Sequence, residues 1–145
     1  MDGTLCLAYK CEGAVRHNAI AIVVNGFAAT SDSYYFVGMH LQRFTRTCTF
    51  DPRGQGWSQW PNRHFIGDTP DFGFGADAAD VQTILDAEFD LADVGGADRV
   101  AVLAGHSRGR LVAVKFQAQV TSHSDCEADY EVDSEGDCLV IASSA

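Results

Sequence analysis

Gly105-His106-Ser107-Arg108-Gly109 sets a serine between two glycines, with the apolar runs "RVAVLA" before it and "LVAVKF" after it. The spacing G-x-S-x-G has a mechanical reason when a strand turns directly into a helix. A serine at that turn adopts a strained backbone conformation that lifts its hydroxyl above the sheet, and the glycines leave room for the turn against its neighbours. The helix that follows aims its first N–H groups at the same place, which favours negative charge developing there. Ser107 is therefore read as a candidate nucleophile. A serine hydroxyl also needs a base, and the base an orienting acid. The only histidine after Ser107 is His123, at the end of the helix leading away from it; His17, His40 and His64 precede it, and His106 is its neighbour. Of these, only His64, in the loop beyond "PRGQGWS", could lean toward Ser107, and it reads first as a surface histidine.

The elements that would position this serine follow from periodicity. "AIAIVV", Ala19 to Val24, is a β-branched run closed by Asn25-Gly26 and reads as a buried strand. In "SDSYYFVGMHLQRF", Ser31 and Ser33 can cap a helix whose stripe is Tyr34, Val37, Leu41 and Phe44. "TCTFD" is a second strand, followed by the turn-rich loop "PRGQGWSQWP". Phe74, Ala78, Val81 and Leu85 mark a second helix that ends near Gly95-Gly96. "RVAVLA" is a third strand, Leu111 to Val120 a third helix, and "CLVIASSA" a fourth strand. Strands alternating with helices predict an α/β fold: a mostly parallel sheet with helices on both faces, in a single domain over 1–145. "TLCLAY", near the start, adds an antiparallel edge hairpin.

Composition narrows the partners. A formal net charge of −10 over 145 residues leaves no basic patch for nucleic acid or an anionic membrane. No run is long enough for a membrane span, and "MDGTLCLAYK" lacks the features of a signal peptide, so a cytoplasmic chain is expected. Cys6, Cys11, Cys48, Cys126 and Cys138 are odd in number, show no paired metal spacing and read as free thiols. "DCEADYEVDSEGD", Asp125 to Asp137, reads as a solvated acidic loop. Its Glu131, Asp133, Glu135 and Gly136 resemble the opening of a calcium loop, but the position that should hold a bidentate glutamate is Ala142. No metal and no cofactor are expected.

Two further stretches carry a resemblance. "IVVNGFAATSDSYY" sits where an α/β-hydrolase has its oxyanion loop, and "FDPRGQGWS" resembles that family's Asp-x-Arg-Gly-x-Gly-x-Ser stretch. With the G-x-S-x-G element they stand in the family's order, so the chain resembles the N-terminal part of an α/β-hydrolase of the esterase and acyl-hydrolase type. The resemblance implies that Ser107 is the nucleophile and that the N–H groups of Phe27 and Arg108 form the oxyanion hole. It implies that Gly26 lets the loop approach a small-molecule acyl substrate, which Asn25 and His106 border. Asp51, Arg53, Gly54 and Gly56 would shape a neighbouring loop. Asn25 departs from the family's usual histidine, and Arg110 from a small residue; the Arg108 side chain is expected to be solvated. In the family, the strands bearing the acid and the histidine follow the one that "CLVIASSA" resembles. The expectation is thus a truncated α/β-hydrolase fold, with nucleophile and oxyanion hole but without the acid–histidine pair. A non-catalytic module binding a ligand or partner in the same crevice is the other reading. Nothing in the sequence points to a particular protein partner.

Overall fold

In the computed structural model, residues 6–59, 73–95, 99–121, 126–132 and 138–144 are described. The elements in chain order are β1 (Tyr9–Glu12), β2 (Ala19–Val24), a 3-10 turn (Ser31–Tyr34), α1 (Tyr35–Leu41), β3 (Arg46–Phe50), α2 (Phe74–Leu91), β4 (Val100–Gly105), α3 (Arg108–Thr121), β5 (Cys126–Val132) and β6 (Cys138–Ser144). The strands form one sheet in the order β1-β3-β2-β4-β6-β5.

The centre of the sheet follows from composition. β2 pairs in parallel with both β3 and β4, with Ile22 between Cys48 and Leu103. Its residues from Ile20 onward are buried on both faces, as a β-branched run without alternation requires. Side chains alternate along a strand, and Ile20, Ile22 and Val24 share one face with Cys48, Phe50 and Leu103. Val81, Ile84, Leu85 and Phe89 of α2 and Val112 and Phe116 of α3 pack with them into the core. α1 lies on the other face, where a methyl on Gly38 would sit 3.6 Å from Thr49 Cγ2. The α/β class with helices on both faces is as the sequence predicts.

Four details differ. The first helix is shorter than its stripe: α1 ends at Leu41, and Phe44 lies beyond it, 71% exposed. Neither Ser31 nor Ser33 caps it by a side chain. Instead the Asp51 carboxylate, at the end of β3, accepts the Ser31 N–H at 2.8 Å. The edge strand antiparallel to β3 is Tyr9–Glu12, which shares only Tyr9 with the expected "TLCLAY".

The third difference is at the far edge. β6 pairs antiparallel with β4, and β5 antiparallel with β6, so the expected fourth parallel strand is one arm of a hairpin. Its other arm occupies much of the acidic segment read as a loop. The acids there recur at every second position, which is the period of a strand; their charge masked that signal.

The fourth concerns the cysteines. Cys11 and Cys48 are directly paired across β1 and β3 and form a disulfide, correcting the free-thiol expectation for these two. Cys6 is free and exposed. No helix among the described residues is long and apolar enough to cross a membrane.

Candidate active site

Ser107 stands between the last residue of β4 and the first of α3. It is exposed, with φ at +53°, in the left-handed region that costs a non-glycine residue about 1 kcal/mol or more. The two glycines explain why the turn can close. A Cβ on Gly109 would lie 2.0 Å from the Val24 carbonyl oxygen, and one on Gly105 would lie 2.6 Å from the Gly109 oxygen. Both collisions are with backbone, which cannot swing aside. The Gly109 and Arg110 N–H groups bond the carbonyls of His106 and Ser107 at 2.8 and 3.1 Å, starting the helix. Arg110 is half-buried in this first turn.

The loop after β2 faces this turn. Asn25 is 1% exposed, and its Nδ2 donates to the Phe50 carbonyl at 2.7 Å and to that of Ala29 at 3.4 Å. That side chain ties the loop to β3. Gly26 approaches the elbow closely: a Cβ there would be 3.0 Å from His106 Nδ1 and 3.2 Å from the Tyr34 hydroxyl. Gly26 and His106 are thus brought together. Tyr34 bridges them, accepting the Gly26 N–H at 3.0 Å and lying 2.8 Å from His106 Nδ1. Phe27 follows, its ring 81% exposed. Among the described residues neither the Phe27 nor the Arg108 N–H donates a hydrogen bond, as the loop and a helix's first residue leave them free to do.

The Asp-Arg-Gly stretch closes on itself. Asp51, 2% exposed, accepts the N–H groups of Ser31 and Trp57 at 2.8 and 2.9 Å. Burial pushes its carboxyl up, but those hydrogen bonds outweigh burial and hold it below the usual carboxylate range. Gly56, at φ +52°, passes so near that a Cβ would lie 2.1 Å from Asp51 Oδ2. Ser58 Oγ accepts the Ala8 N–H at 2.8 Å and donates to the Asp51 carbonyl. Arg53 makes a bidentate pair with Asp80 of α2 at 2.6 and 2.7 Å.

The Arg108 side chain is not solvated as expected. Its guanidinium pairs with Asp77 of α2 and lies 5.6 Å from the centre of the Phe74 ring. Burial lifts the Asp77 carboxyl above the usual range, with Arg108 pulling it back only in part. Neither Tyr34 nor Asp77 was singled out from sequence as a partner of the elbow. The signals were a tyrosine hydroxyl on an otherwise apolar stripe and an acid three residues after Phe74, on the α2 apolar face.

No base reaches Ser107 among the described residues. His17 lies in a turn before β2, and His40 Nδ1 bonds its own helix at the Phe36 carbonyl, 2.9 Å away. His64 and His123 lie outside the described residues. Cys11, Cys48 and Glu88 converge within 4.8 Å, but the two sulfurs are bonded to each other. Of the calcium-like segment, Asp133, Glu135 and Gly136 are outside the described residues and Ala142 lies in β6.

Comparison with known proteins bears on the same elements. The model of the alpha/beta hydrolase family matches residues 21–141. No curated protein matches the chain. A marine microorganism esterase shares its fold with a TM-score of 0.59 at 19% identity, over 81% of this chain and 38% of that one. An N-acyl homoserine lactone degrading enzyme gives 0.59 at 21%, over 79% and 37%. An alpha/beta hydrolase from Sphaerobacter thermophilus gives 0.56 at 22%, over 84% and 38%. At these identities the likeness is one of fold, and the chain spans less than two-fifths of each of these structures.

Proposed function

The chain belongs to the alpha/beta hydrolase family, and from that premise we propose that it carries the nucleophile half of a serine hydrolase acting on a small ester or similar acyl substrate. The observation that carries this reading is Ser107: an exposed serine at positive φ, on a turn whose flanking glycines admit no side chain. The Ser107 oxygen attacks the acyl carbon, and the carbonyl electrons move onto oxygen. The N–H groups of Phe27 and Arg108, unclaimed among the described residues, stabilise that oxyanion. Collapse of the adduct breaks the bond to the leaving oxygen, which departs as the alcohol by taking up the proton that the Ser107 hydroxyl gave up. It leaves an acyl-serine that water hydrolyses to the acid and free Ser107.

The serine proton needs an acceptor, and no described histidine hydrogen-bonds to Ser107. This favours a slow reaction in the 145-residue chain and keeps the non-catalytic binding module as a second reading. Without a base the hydroxyl stays almost wholly protonated at neutral pH and is a poor nucleophile. The purified chain is expected to hydrolyse a short activated ester little faster than its Ser107→Ala variant. A fluorophosphonate is expected to label Ser107 slowly, and the Ser107→Ala variant not at all. Rapid stoichiometric labelling would reveal a base, His64 first. Complete absence of labelling after long incubation would leave the binding module.

A further inference from the structure

The Tyr34 hydroxyl stands where the two loops of the candidate site meet. It accepts the Gly26 N–H at 3.0 Å and is 2.8 Å from His106 Nδ1, with the two rings 5.9 Å apart. Gly26 immediately precedes Phe27, and His106 immediately precedes Ser107 and Arg108. One hydroxyl thus touches a neighbour of each amide assigned to the oxyanion.

The chemistry of that hydroxyl fixes the arrangement. It has one proton to give and two lone pairs to receive. With one lone pair taken by the Gly26 N–H, the hydroxyl has a proton to give His106 Nδ1 and a second lone pair to receive a proton from it, so the link holds in either imidazole tautomer. The turn bearing Tyr34 is itself anchored, because the Asp51 carboxylate holds the N–H of Ser31 at its start. A side chain on Gly26 would press on both partners, its Cβ 3.0 Å from His106 Nδ1 and 3.2 Å from the Tyr34 hydroxyl. The oxyanion loop, the Asp-Arg-Gly loop and the elbow therefore meet through a single four-residue turn.

We propose that Tyr34 is a positioning residue that sets the spacing between the Phe27 and Arg108 N–H groups, an inference that rests on the hydrolase reading. It touches neither substrate nor the reacting atoms; it acts through Gly26 and His106. Removal of the hydroxyl leaves the buried Gly26 N–H without an acceptor and frees the loop to drift from the elbow. Donors aimed at a transition state lose effect with small displacements. The loss then falls on the chemical step and leaves ground-state binding unchanged.

The test uses the whole 145-residue chain as wild type, Tyr34→Phe, His106→Phe and the double variant, with Ser107→Ala as the labelling blank. Fluorophosphonate labelling of Ser107, followed by mass spectrometry, is expected to slow about tenfold in Tyr34→Phe. In a double-mutant cycle the two single losses should not add, because both break one linkage. Amide NMR provides a readout independent of reactivity. In Tyr34→Phe the Gly26 N–H should exchange about tenfold faster, and the resonances of Ser107 and Arg108 should move together with that of Phe27. Strictly additive losses, labelling at the wild-type rate, or resonance changes confined to Gly26 and Phe27 would each overturn the tether. If wild type labels no faster than the Ser107→Ala blank, the hydrolase reading fails on its own, and the NMR arm still decides whether Tyr34 couples the two loops.

Discussion

A methyl group on Gly109 would meet the Val24 carbonyl oxygen at 2.0 Å, and relief would require the end of β2 to part from the start of α3. Overpacking of this kind costs about 1–3 kcal/mol. Gly109→Ala is expected to lower the urea midpoint with an unchanged slope and to abolish labelling of Ser107. Asp51 makes a prediction in pH. Its carboxyl is held below the usual range by the Ser31 and Trp57 N–H groups, against its burial. The stability it confers is therefore complete above the unfolded-state value and is lost as pH falls through the depressed native one. Asp51→Asn should flatten the acid limb of a stability–pH curve, and an unchanged limb would count against this role. The elbow was legible in the sequence because its spacing is itself a steric requirement. The Asp-Arg-Gly loop was legible for a related reason, since Gly56 passes against the Asp51 carboxylate and Gly54 takes a positive φ. Tyr34, Asp77 and the Phe50 partner of Asn25 were not, because those contacts are brought together only by folding.

Beyond its apolar stripe, α2 carries three buried acids, Asp77, Asp80 and Glu88, each paired with an arginine from a different part of the chain. Arg108 comes from the elbow, Arg53 from the loop after β3 and Arg46 from β3 itself. The helix both packs the core and pins two motif loops by charge. Loss of one partner from a buried pair costs about 3 kcal/mol, so Asp80→Asn is expected to lower stability by roughly that amount in urea melts. Asp80→Asn should also loosen the Asp-Arg-Gly loop, read as faster amide exchange at Trp57. Helix α2 was visible in the sequence from its apolar repeat, whereas the pairing of its acids was not, because the arginines that meet them come from distant parts of the chain. The disulfide escaped notice for a related reason: Cys11 and Cys48 are neighbours only through the register of β1 against β3.

In the molecule as a whole, the central strands β3, β2 and β4 follow the parallel order that alternating strands and helices imply, and the hairpin beyond β4 reverses it. Local pattern fixes what an element is, but the direction in which a strand joins its neighbour is settled by the connection that precedes it. The hairpin occupies the free side of β4, so among the described residues the outermost strand on that flank is β5. Unpaired strand edges invite a second molecule to add its own strand, and charge is a common deterrent. β5 carries Glu127, Asp129 and Glu131 at every second position, and no basic residue lies anywhere from Asp125 to Asp137. At the opposite flank β1 is only four residues long and bears the Lys10–Glu12 ion pair. Both rims of the sheet are therefore poor templates for self-association, and the acidic rim depends on pH for its protection. Light scattering should stay flat at neutral pH and rise as pH approaches the isoelectric point near 4.6. The triple variant Glu127→Gln, Asp129→Asn, Glu131→Gln should aggregate already at neutral pH, by intermolecular strand pairing that the native sequence repels.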